Sequence, residues 1–76
     1  MVSNNMISQH SIRKTHAGRE YTARVFHHAT DAEHYAFTLE IVGFPIQDKR
    51  SEKWNSEDEA ISAAENLAHS MIDGKN

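Results

Sequence analysis

Six histidines in a chain of 76 residues are the first side chains to weigh for chemistry, because imidazole binds zinc, copper and nickel well. His27, His28 and His34 fall where two alternating segments meet across a hairpin. Adjacent strand residues point to opposite faces, so His27 and His28 cannot join one metal without distortion. No two histidines stand at the four-residue spacing of a helical metal pair, and the chain has no cysteine. The histidines are therefore expected to be solvated or locally satisfied, with no metal and no cofactor. Serines, threonines and carboxylates form no recognisable nucleophile or acid–base pattern, so no catalytic residue is assigned. Glu57, Asp58 and Glu59 do cluster, but acids there suit the positive end of a helix. A domain this small also has difficulty enclosing a pocket, and a non-enzymatic chain is expected.

The element that must organise these residues runs from Ser56 to Gly74. Ser56 followed by Glu59 reads as a capping box, the hydroxyl accepting from the Glu59 amide and the carboxylate reaching back to the Ser56 amide. Ala60, Ile61, Ala64, Leu67, Ala68, Met71 and Ile72 recur on one helical stripe, and Gly74 supplies a left-handed stop. Such a stripe needs a flat layer to lie on. Tyr21, Ala23, Val25 and His27 alternate with Thr22, Arg24, Phe26 and His28; Tyr35, Phe37, Leu39 and Ile41 alternate with Ala36, Thr38, Glu40 and Val42. Gly43 and Pro45 end the second strand, and a more polar third strand is expected around Gln47 to Trp54. Its charges, Asp48, Lys49, Arg50, Glu52 and Lys53, suit a sheet edge. The expected fold is α+β: a three-stranded antiparallel meander with one C-terminal helix on one face, βββα. Residues 1–18 are expected to be a mobile basic arm with at most a short strand near Ile7 to Lys14, residues 19–74 the single domain, and residues 75–76 a tail.

The segment Tyr21-Thr22-Ala23, then Tyr35, then Phe44-Pro45, then Ser56-Glu57-Asp58-Glu59-Ala60 and on to Asn66 resembles the N-terminal strand-strand-strand-helix of HicB-like antitoxin domains. The likeness spans about Tyr21 to Ile72 and implies that same element order, with an antitoxin role as one function. The chain is equally similar to short stand-alone bacterial βββα domains with no assigned activity.

Composition narrows the partners. The net charge of −3 is uneven: Arg13, Lys14 and Arg19 precede the first acid, whereas Glu57, Asp58, Glu59, Glu65 and Asp73 oppose only Lys75 in the last segment. No apolar run reaches a membrane span, and Met1 to Lys14 lacks the apolar core of a secretory signal, so a cytoplasmic chain with no membrane contact is expected. The favoured function is protein interaction or self-association, two copies either packing the sheet faces that the helix leaves bare or extending the sheet edge to edge. The contact residues would be Arg24, Phe26, Thr38, Val42 and Trp54. The alternative is nucleic-acid binding by Arg13, Lys14, Arg19, Lys49, Arg50 and Lys53, with Phe26 or Trp54 for stacking. The element order is also similar to the latter part of a double-stranded-RNA-binding domain, yet Glu57-Asp58-Glu59 at the helix start would repel phosphates.

Overall fold

A computed structural model describes residues 6–28 and 34–74, with backbone alone considered for 6–9 and 28. The chain forms β1 (Met6–His16), β2 (Arg19–His28), β3 (Tyr35–Ile41), β4 (Gln47–Asp48) and α1 (Glu57–Asp73). The strands make one antiparallel sheet in the order β1-β2-β3-β4, so the class is α+β, with four strands where three are expected from the sequence.

The additional strand is drawn from the expected mobile arm. β1 pairs with β2 from Met6 opposite His28 to His16 opposite Arg19, with the register shifting between Ser8 and His10. The turn that makes this possible is Ala17-Gly18, with φ of 52° and 79°. Two successive positive φ values give the two-residue hairpin turn whose twist matches the flanking strands, and glycine at the second position adopts it without a Cβ penalty. Backbone ladder bonds hold β1 although few of its side chains are apolar. Residues 1–5, the rest of the expected arm, lie outside the described residues.

β3 stops where glycine and proline predict. Phe44 N–H donates to Ile41 O at 2.9 Å, closing a turn in which Gly43 takes φ 88°. The expected third strand is cut short. Gln47 and Asp48 pair with Leu39 and Thr38, the chain then turns outward, and Trp54 returns to exchange both backbone hydrogen bonds with Tyr35 at 2.8 and 2.9 Å. The outward turn is fixed by Asp48, which accepts from the backbone N–H of Arg50 at 3.0 Å and from its guanidinium at 2.9 and 2.7 Å.

The helix lies on the face carrying Tyr21, Ala23, Val25, Phe37, Leu39 and Ile41, all buried. Its own buried residues are Ala60, Ala64, Ala68 and Ile72. Methyl groups at four-residue steps let the helix backbone approach the aromatic and aliphatic rows of β2 and β3, while Ile61, Leu67 and Met71 pack around the margin, partly buried. Ser56 Oγ accepts from the Glu59 amide at 3.1 Å, as the capping box requires. The reciprocal bond is displaced by one residue: Glu59 Oε1 accepts from Asn55 N–H at 3.2 Å. Gly74 closes the helix in the right-handed region, φ −77° and ψ −1°, with its N–H donating to Ser70 O, in place of the expected left-handed stop. No helix among the described residues is long and apolar enough to cross a membrane.

Candidate interaction surfaces

Each strand presents alternate residues to α1, and on β1 those are His10, Ile12, Lys14 and His16, opposite the helix-facing Val25, Ala23, Tyr21 and Arg19 positions of β2. Three of the four lie against acids of the helix. His10 Nδ1 lies 3.8 Å from Glu57 Oε2, Lys14 Nζ donates to Glu65 Oε2 at 2.5 Å, and His16 Nε2 lies 2.9 Å from Asp73 Oδ1. The His16 ring also stacks on His69 with centroids 4.0 Å apart and an interplanar angle of 14°. His69 Nε2 in turn sits 3.4 Å from the hydroxyl of Tyr21. The Lys14 ammonium is held above its ordinary range by the hydrogen bond and charge of Glu65, and the Tyr21 phenol is pushed up by burial and by the same carboxylate.

The open face of the sheet carries the expected Arg24, Phe26 and Thr38 together. Phe26 is half-buried directly opposite buried Ala36, and Arg24 opposes half-buried Thr38. Charged pairs share this face: Arg13 and Glu20 approach to 3.9 Å, Arg24 and Glu40 to 3.9 Å, and Asp48 grips Arg50. Val42 sits beyond this group in the turn after β3, 60% exposed, beside Ile46 at 62%. Trp54, half-buried, does not lie on this face. Its ring packs against Phe37, centroids 4.9 Å apart, on the helix side of the sheet. The cause is the bridge to Tyr35, because opposed residues share a face and Tyr35 faces the helix with Phe37.

The proposed phosphate contacts are dispersed and engaged. Arg13 is on the open face and Lys14 on the helix face. Arg19 donates to Val42 O at 2.7 Å and lies 5.2 Å from the Phe44 ring centroid, clamping the turn around Gly43. Lys49 approaches Glu52 to 3.7 Å, and Arg50 is bound to Asp48, whose carboxyl it lowers to about 2. Lys53 also has an interaction partner. Among the described residues no three histidine or acidic side chains are placed to hold a metal; His27 instead meets Tyr35 edge-on, centroids 6.2 Å apart. The His28 side chain lies outside the described residues.

The row His10, Lys14, His16 against Glu57, Glu65, Asp73 is the feature that site reasoning from sequence missed. Part of its signal is in the sequence: His10, Lys14 and His16 share the even positions of β1, and Glu57, Glu65 and Asp73 are spread along the helix that follows. The chain matches no protein-family model, no curated protein and no solved structure with which it was compared.

Proposed function

We propose that the chain is a non-enzymatic interaction module that associates with itself along the outer edge of β1. The observation that carries this reading is the inequality of the two sheet edges. β1 is 11 residues long and stands at the end of the strand order, so one row of its backbone donors and acceptors has no strand beside it among the described residues. β4 at the other end has two residues and is folded over by the Asp48–Arg50 clasp. At the β1 edge Lys14 is bound to Glu65, and Arg13 stands 3.9 Å from Glu20. A small domain gains core and ladder bonds from edge-to-edge pairing.

Phosphate binding would require the same cations to leave their carboxylates, which places nucleic acid behind self-association as a reading. Sedimentation of the full chain over a wide concentration range tests the proposal. The expected result is reversible growth from one chain mass, 8.6 kDa, toward twice that value. A single chain mass at every concentration would overturn it, as would a mass change that appears only with added RNA or DNA.

A further inference from the structure

The symmetry of β1 says how a second copy must sit, an inference that rests on the self-association proposed above. Two antiparallel strands related by a closed two-fold axis must have that axis perpendicular to the sheet, so some residue of the strand faces its own counterpart. Both helices then lie on the same side of one continuous sheet. Only the residue on the axis is left to find.

The regular part of β1 runs from His10 to His16, because the register is broken between Ser8 and His10. An axis at Ser11 or Thr15 soon runs each strand into that irregularity or into the Ala17-Gly18 turn. An axis at Arg13 or Lys14 sets two like charges directly opposite, which destabilises a strand pair. An axis at Ile12 avoids both. It sets the half-buried isoleucine against itself, exposed Arg13 against the small exposed Ser11, and Lys14 against His10. Lys14 then faces His10, and Glu57 stands 3.8 Å from the His10 ring. Lys14, already on Glu65, would then lie between acidic groups of both helices. We infer that β1 pairs with β1 of a second copy in antiparallel register centred on Ile12.

Because the chain contains no cysteine, single substitutions along the strand report this register directly. Opposed residues have Cα atoms about 4.5 to 5.5 Å apart, within the roughly 4.4 to 6.8 Å reach of a disulfide. Ser11→Cys, Ile12→Cys, Arg13→Cys and Lys14→Cys chains are oxidised mildly, and in parallel the natural sequence is studied as a mixture of isotope-labelled and unlabelled copies. The expected result is a covalent dimer formed fastest by Ile12→Cys, and an Ile12-to-Ile12 contact between labelled and unlabelled natural chains. A dimer by sedimentation whose fastest cross-link is at another position, with no such contact, overturns the register and leaves edge pairing standing. A natural chain that sediments as one copy removes the edge reading itself, and the register with it.

Discussion

Lys14 on β1 and Glu65 on α1 are joined by a hydrogen-bonded ion pair across 51 residues of sequence. The pair belongs to a row in which the strand and the helix advance in the same direction, from His10 and Glu57 to His16 and Asp73. From His10 to Lys14 the strand rises about 13 Å while the helix rises about 12 Å from Glu57 to Glu65, and Asp73 at the helix end closes the row on His16. The basic segment and the acidic helix, separate features of the sequence, are thus two sides of one seam.

Alkaline pH should weaken the fold through this seam. Lys14 and Tyr21 are both raised above their ordinary values of 10.5 and 10.0. Above those values the folded chain retains protons that the unfolded chain has lost, so their contribution is complete below about pH 10 and disappears as pH rises through the folded-state values. Urea midpoints for the natural chain are expected to fall between about pH 8 and about pH 11, and to fall less for Lys14→Met. Equal slopes for the two chains would count against the Lys14–Glu65 contribution.

Asp48 should behave in the opposite sense at acid pH. Its carboxyl is held at about 2, below the ordinary 3.8, by the hydrogen bonds from Arg50. The stability it adds is present above 3.8 and lost as pH falls through about 2. A carbon-detected NMR titration is expected to give a midpoint near the lower value, and Arg50→Gln to return it toward the higher one. A midpoint unchanged by that substitution contradicts the clasp.

Packing of α1 on the sheet predicts unequal costs along the helix. Ala64 has no exposed surface, so Ala64→Leu must displace the helix or strain its neighbours, at about 1 to 3 kcal/mol. Leu67 is partly buried at the margin, and Leu67→Ala should cost less than the roughly 2 kcal/mol at which fully buried leucines begin. Denaturant unfolding of both variants checks the order. A larger loss at Leu67 would place it at the centre of the interface.

The helix, β2 and β3 were legible because their apolar residues carry a strict period, and Ser56 marks the helix start. β1 was less legible for a physical reason. Its helix-facing residues meet the polar flank of α1, so His10, Lys14 and His16 occupy places where an apolar alternation would reveal a strand. Gly18 offered a turn signal, but Ala17 in a left-handed conformation is not what a hairpin sequence usually shows. Trp54, named among the contact residues, packs on Phe37 on the helix side of the sheet. The outward turn after Asp48 changes the alternation before Trp54 returns beside Tyr35.

The Ile12-centred pairing makes a sign-specific prediction at Ser11, which is exposed and would oppose Arg13 of the second copy twice per dimer. Ser11→Glu should tighten association and Ser11→Lys should loosen it, each by about 0.2 to 1 kcal/mol per pair. Dissociation constants from sedimentation equilibrium give the comparison. Identical constants, or the reverse order, would contradict the pairing.

Edge pairing is tested most directly by amide hydrogen exchange of the full chain measured at rising protein concentration. The outward-facing amides between His10 and Lys14 should become more protected as concentration increases, while the amides from Lys49 to Lys53 keep their rates. Exchange along β1 that is independent of concentration would contradict the account.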